Sequence, residues 1–222
     1  MPERGKYIVI EGGDGTGKST QVDRVDTYLR SIGRDTVHTY NVDTNSIGPL
    51  QEPGGTPYAD ELRKRIKDKT IARTPWQNVE MFTEARVSAW NDVLNPGLEQ
   101  GKDAAAARSF ISTVAYQGFG EGVSIEEIEQ YTHDHVGKQY MNPDLVVILA
   151  LINERQRRER LQTRNPNDST LDTFESLPAE FQTSMHSGYV QYAEMRGYPI
   201  LDASKSQDVV FEDIRKLIDD IL

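Results

Sequence analysis

The residues Gly12-Gly13-Asp14-Gly15-Thr16-Gly17-Lys18-Ser19-Thr20 have the types and spacing of a phosphate cradle, G-x-x-x-x-G-K-[ST]. Glycines tolerate backbone angles that turn successive N–H groups inward, and the start of the following helix adds its positive dipole end. In such a cradle Lys18 reaches the outer phosphates and the Ser19 hydroxyl holds Mg²⁺. The plainer alternative is a glycine turn before an ordinary helix, and the flanking residues decide between the two. Tyr7-Ile8-Val9-Ile10 is a short apolar, β-branched run that reads as a buried strand, and Val22, Val25 and Leu29 share one helical face after the loop. Strand, glycine loop and helix together predict binding of a nucleoside triphosphate.

A second pair with chemical potential is Phe82 and Arg86, one turn apart on a helix predicted from Pro75 to about Gln100. They suit a core aromatic beside a surface arginine. They equally suit an aromatic plane and a planar donor that hold a nucleobase by stacking and hydrogen bonding. Arg155-Gln156-Arg157-Arg158-Glu159-Arg160 precedes a polar loop, Arg164 to Thr170, and reads either as a solvated helix face or as a phosphate-contacting lid. His133 and His135 have no partner at metal-ligand spacing and read as solvated.

The elements that must position these groups alternate. Arg34 to Val42 is a weak strand candidate, followed by a polar loop and an irregular turn at Gln51-Glu52-Pro53-Gly54-Gly55-Thr56-Pro57. Tyr58 to Lys69 reads as a helix. Asp103 to Arg108 holds four alanines, helical by propensity, but its length and its place after a Gln100-Gly101 stop suggest a buried strand. A short helix at Ser112–Gly118 and a capped helix from Ser124 come next. Pro143 to Leu149 is an unbroken aliphatic run suited to the middle of a parallel sheet. A helix through Phe181 and Tyr189, a short strand at Pro199-Ile200-Leu201 and an amphipathic helix close the chain. This alternation predicts a parallel sheet covered on both faces, with ligands beyond the carboxyl ends of its strands.

Composition narrows the partners. The 222 residues carry 25 Lys+Arg against 35 Asp+Glu, a net charge of −10, which disfavours nucleic acid. With no cysteine, disulfides, thiolate zinc sites and cysteine nucleophiles are excluded. No linker or repeat divides the chain, so residues 1–222 read as one domain. A first strand near Tyr7 leaves no room for a signal peptide, and no apolar run approaches a membrane span, which together suggest a cytoplasmic location.

Taken in order, the segments IVIEGGDGTGKST, EPGGTP, MFTEAR, STVAYQG, PDLVVIL and a late DTFE before Gly-Tyr resemble bacterial thymidylate kinase, and they cover Tyr7 to about Asp202. The resemblance implies an α/β, three-layer P-loop NTPase fold, with a central five-stranded parallel sheet flanked by helices and a mobile lid at roughly residues 155–175. It implies a homodimer that moves a phosphoryl group from ATP to dTMP with Mg²⁺. By the same resemblance Gly12, Gly13, Asp14, Gly15, Thr16, Gly17, Lys18, Ser19 and Thr20 form the ATP site. Asp14 also meets the acceptor sugar's 3′-hydroxyl, Phe82 stacks on thymine and Arg86 hydrogen-bonds it. Arg108 grips the acceptor phosphate, Ser112, Tyr116 and Gln117 close over the nucleoside, and Glu52 and Pro53 belong to the acceptor site. Lys18, Arg108 and lid arginines, Arg158 and Arg164 foremost with Arg160 beside them, are the catalytic set.

The chain also departs from the family. Ala107 stands where an acid usually precedes Arg108, and Asp103, four strand residues away, is too far to replace it. Glu11 or Asp14 is the expected substitute near the metal, so Ser19 and Glu11 are the candidate metal residues. Gln51 replaces the usual arginine before the Glu-Pro-Gly-Gly turn, an exchange expected to weaken acceptor binding. Asn41 to Leu50 is longer than usual, and Thr173 replaces a lid arginine. These departures leave open a kinase of another deoxynucleotide and a nucleotide-binding module without turnover.

Overall fold

The structure, a computed structural model, describes residues 3–151, 174 and 177–222. The chain enters through strand β1 (Tyr7–Glu11), whose five residues are all buried, as a β-branched run at the centre of a sheet must be. It turns through the glycine loop into helix α1 (Lys18–Ser31). Strands β2 (Thr39–Asn41), β3 (Ser46–Gly48) and β4 (Leu50–Gln51) and helices α2 (Pro57–Lys67) and α3 (Pro75–Ala89) follow. Helix α4 (Asn95–Glu99), strand β5 (Ala104–Ala107), helices α5 (Phe110–Thr113), α6 (Ile125–His135) and α7 (Lys138–Met141), and strand β6 (Leu145–Ala150) come next. After them the described elements are helix α8 (Ala179–Arg196), strand β7 (Ile200–Asp202) and helix α9 (Gln207–Asp219).

Five strands form one parallel sheet in the order β4-β5-β1-β6-β7. Side chains alternate across it with period two. Tyr7 and Val9 face a core shared with α3, α5, α6 and α8, while Ile8 and Ile10 face one shared with α1 and α9. This is the expected three-layer arrangement. Its parallel register brings Glu11, Gln51, Ala107 and Ala150 to one edge, the edge onto which the glycine loop opens.

The alanine run is a strand. Ala104 to Ala107 pair with Tyr7 to Ile10 on one side, and Ala106 and Ala107 pair with Leu50 and Gln51 on the other. Helix propensity favours alanine by only a fraction of a kcal/mol per residue, and burial between two strands outweighs it.

Three elements differ from the sequence reading. The Arg34–Val42 stretch yields only β2, which pairs antiparallel with β3 outside the main sheet. The loop after it is therefore a hairpin, whose turn is stabilised by the Asn41 carboxamide accepting the Asp43 N–H at 2.9 Å and by Asn45 at φ 51°. The long helix from Pro75 changes to a π-helical turn at Trp90–Leu94, because Pro96 lacks an N–H and its ring crowds the preceding turn. The helix begun at Phe110 likewise widens into a π-helical stretch, Val114–Gly120.

The close packing around β5 has a measurable consequence. Replacing the fully buried Ala106 by leucine should lower stability by about 1–3 kcal/mol through overpacking. Urea denaturation reads this directly, and an unchanged midpoint would mean the strand has room to spare.

Candidate active site

Strand β1 ends at Glu11 and the loop leaves it through Gly12 at φ 138°, where a Cβ would stand 2.2 Å from the Leu149 carbonyl oxygen. Only glycine fits there. Gly15 and Gly17 also take left-handed angles, and Gly17 caps α1 without any side-chain hydrogen bond, so the first turn of the helix lacks a side-chain acceptor. The Thr16 hydroxyl and the Lys18 ammonium both donate to the Gly13 carbonyl at 2.8 Å, folding the loop around its own centre. Thr20 lies exposed on the first turn of α1, and the Ser19 hydroxyl donates to Gln51 Oε1 at 3.2 Å.

Across the loop, Arg108 takes a left-handed φ of 72°, an unusual angle for a side chain with a Cβ. That turn aims its guanidinium back at the loop. It forms a short ion pair with Asp14 and donates to Ser112 Oγ at 3.2 Å and Tyr189 OH at 3.3 Å. Asp14 also accepts from Tyr116 OH at 2.7 Å and lies 3.7 Å from Lys18 Nζ. Burial opposes ionisation of Asp14, but Arg108, Lys18 and the Tyr116 hydroxyl outweigh it and hold the carboxyl well below the usual range.

Glu11, a candidate metal residue, turns its carboxylate to the neighbouring turn. Its Oε1 accepts from Ser109 N at 2.6 Å, Ser109 Oγ at 3.0 Å and Ser112 N at 3.1 Å, and its Oε2 accepts from Ser112 Oγ at 2.9 Å. The carboxylate holds the turn that starts α5, and both of its oxygens accept from protein donors.

The Phe82–Arg86 pair exists as predicted, with the guanidinium 5.6 Å from the ring centroid. Arg86 is buried rather than exposed: it donates to Glu52 Oε2 at 2.9 Å, Thr113 Oγ1 at 2.8 Å and the Ser109 carbonyl at 2.7 Å. A guanidinium has five N–H donors, so two remain beyond these contacts for a base. Glu52 also accepts from Tyr140 OH at 3.0 Å. Glu52 therefore orients Arg86, and Pro53 offers its carbonyl to Arg63 at 2.8 Å. The peptide bond between Glu52 and Pro53 is cis. Gln117 is fully buried with its amide donating to Glu121 at 3.0 Å. Arg158, Arg160 and Arg164 lie outside the described residues, as does Thr173.

A model of the family described as thymidylate kinase matches residues 10–214. The chain belongs to the thymidylate kinase family. A thymidylate kinase of Pelotomaculum thermopropionicum is 31% identical over 222 residues, spanning 99% of this chain and 95% of the relative. One of Caldicellulosiruptor saccharolyticus is 32% identical over 220 residues, spanning 99% and 98%. The crystal structure of a thymidylate kinase from Ehrlichia chaffeensis matches with a TM-score of 0.71 over 97% of this chain and 99% of that one. At 21% identity that likeness concerns the fold.

Within this family member the structure brings Gly12 to Ser19, Arg108, Ser112 and Tyr116 together around Asp14, with Phe82 and Arg86 alongside. Three neighbours of this cluster were not among the candidate site residues. Phe174 packs between Phe82 and Tyr116, with ring centroids 6.0 Å and 5.3 Å away. His186 lies against Gly13, where a Cβ would come within 1.9 Å of its ring. Tyr189, three residues further along α8, reaches Ser112 and Arg108. One turn of helix separates His186 from Tyr189, and that spacing was the available signal.

The Glu52–Arg86 pair predicts a pH-dependent stability. Burial pushes the Glu52 carboxyl up to about 7 from its ordinary 4.5, against the pull of Arg86 and the Tyr140 hydroxyl. The folded chain then binds more protons than the unfolded chain between these values, so this group's contribution to stability falls as pH rises through that window. Arg86→Ala leaves the carboxylate without its counter-ion and should cost about 3–5 kcal/mol where Glu52 is ionised. The deficit should shrink in urea melts at about pH 5.5 relative to about pH 8. An equal deficit at both would contradict the assignment.

Proposed function

We propose that this chain transfers the γ-phosphoryl group of ATP to dTMP, giving dTDP and ADP. One observation carries the reading: a phosphate loop faces an arginine, Arg108, held across it by the loop's own Asp14, and Tyr116, which bonds the same Asp14, is linked through Phe174 to the Phe82 ring. Family membership supports the same activity.

In this reading the phosphates of ATP replace the Gly13 carbonyl as the partner of Lys18, and the bare first turn of α1 receives them. Arg108 exchanges Asp14 for the acceptor phosphate, and Asp14, once released, takes the sugar hydroxyl. The depressed affinity of Asp14 for protons makes it a poor general base and a good hydrogen-bond acceptor. The acceptor phosphate is itself an anionic nucleophile, so no proton need be removed before transfer. What the protein supplies is alignment, positive charge and a dry site. Phe82 stacks on the base, the remaining Arg86 donors reach its edge, and Ser112, Tyr116 and Gln117 line the nucleoside. Arg158 or Arg164, outside the described residues, would add positive charge at the transferred phosphoryl.

Mg²⁺ accompanies ATP in this proposal. Among the described residues there is no cluster of three or more His, Cys, Asp or Glu, and the Ser19 hydroxyl is a hard oxygen donor. That set suits a cation which keeps its waters and phosphate ligands rather than an all-protein cage. Bound there, Mg²⁺ would neutralise charge on the outer phosphates. One domain over residues 1–222, a homodimer and a cytoplasmic location complete the proposal; among the described residues no helix is long and apolar enough to cross a membrane.

A coupled assay of ADP release with ATP, Mg²⁺ and a panel of dTMP, dUMP, dCMP and dGMP tests the reading. Turnover should be fastest with dTMP and fall by about a hundredfold or more in Lys18→Ala, the scale of losing a charge-stabilising donor. Arg108→Ala should raise the KM for dTMP more than that for ATP. Absence of turnover with every acceptor, despite binding of ATP and dTMP, would leave a nucleotide-binding module instead.

A further inference from the structure

We propose that Gln51 is a positioning residue for the metal of this site, its side-chain carbonyl oxygen joining the Ser19 hydroxyl as the protein's share of the oxygen shell of Mg²⁺. The proposal rests on the reading of an ATP-dependent kinase given above.

The geometry starts at Ser19. Its Oγ lies 3.2 Å from Gln51 Oε1, a contact between residues 32 apart in sequence. Neighbouring oxygens in an octahedral magnesium shell with bonds of 2.0–2.1 Å stand about 3 Å apart. The two side chains already hold their oxygens near that edge length. A neutral carboxamide oxygen is a hard donor of the kind Mg²⁺ accepts directly or through a water.

Glu11, Asp14 and Asp103 are committed elsewhere. Both oxygens of Glu11 take hydrogen bonds from Ser109 and Ser112. Asp14 is held by Arg108, Tyr116 and Lys18. Asp103 lies at the opposite end of β5, bound to Arg34 and the Lys6 N–H. Gln51 also borders a cavity of about 330 Å³ that Asp23 and Asp26 line as well; Asp26 is engaged by His38 at 2.8 Å, and Asp23 lies exposed on α1. Ala107, the register partner of Gln51, has no side-chain oxygen.

The backbone at Gln51 is fixed as a ligand support requires. It ends β4 against β5, and the next N–H, that of Glu52, donates to the Ala107 carbonyl at 3.0 Å. The Glu52 side chain is anchored in turn by Arg86 and Tyr140. Gln51 therefore presents its carboxamide from a rigid strand end, not from a free loop.

The test is isothermal titration of a non-hydrolysable ATP analogue, with and without Mg²⁺ and without acceptor, into wild type, Gln51→Ala and Gln51→Glu. The readout is the factor by which Mg²⁺ tightens binding. Gln51→Ala should reduce that factor about tenfold, the scale of losing a supporting ligand, with metal-free affinity unchanged. Gln51→Glu, which keeps an oxygen there, should retain it. Undiminished tightening in Gln51→Ala, or a loss in Gln51→Glu equal to that in Gln51→Ala, overturns the role of Gln51 alone. Wild-type binding that ignores Mg²⁺ overturns the underlying metal reading as well.

Discussion

A carboxylate cut off from water, that of Glu11, fixes the relation between the two halves of the active site. It ends the central strand, immediately before the phosphate loop, and four of its hydrogen bonds tie it to the turn that follows the neighbouring strand. Burying a charge without such partners is strongly unfavourable, whereas charge-assisted bonds from two backbone N–H groups and two hydroxyls satisfy it. The strand end and the Ser109–Ser112 turn are thereby held as one piece. Arg108 sits between them, and its left-handed backbone follows from that connection: the chain must reverse within one residue to leave β5 and deliver Ser109 to Glu11.

From this tie the electrostatics of the cleft follow. Asp14 and Arg108 neutralise each other across the loop, and Lys18 folds onto the Gly13 carbonyl. The cationic groups are thus placed before any phosphate is present, each resting on a protein oxygen that an anionic ligand can displace. Such preorganisation spares the reaction the reorientation of dipoles at the moment of transfer.

A second tie lies at Arg86. Arg86 joins Glu52, Thr113 and Ser109, so helix α3, the end of β4 and the turn after β5 meet at one guanidinium. Phe82 stands one helical turn before it, and the rings of Phe174, Tyr116 and Phe181 pack around the same space. The polar cross-link and the aromatic rings thus lie side by side in the fold.

The sequence by itself determined the elements whose signals are local. The glycine loop, the buried runs at Tyr7–Ile10 and Leu145–Leu149, and the capped starts of α2, α3 and α6 each follow from residue types within a few positions. Arg108, Ser112 and Tyr116 were candidates through their resemblance to a family, and the fold brings them together. What the tertiary structure alone decided depends on partners far apart in the chain. The alanine run became a strand because two other strands flank it. Glu11 became the support of a turn 98 residues away because register placed it there. Arg86, which its own helix would present to solvent, became buried because β4 and α5 close over it. Gln51 came to face Ser19 because β4 ends at the edge of the phosphate loop. Such roles are set by what the sheet brings within hydrogen-bonding distance, and no local pattern in the sequence encodes that distance.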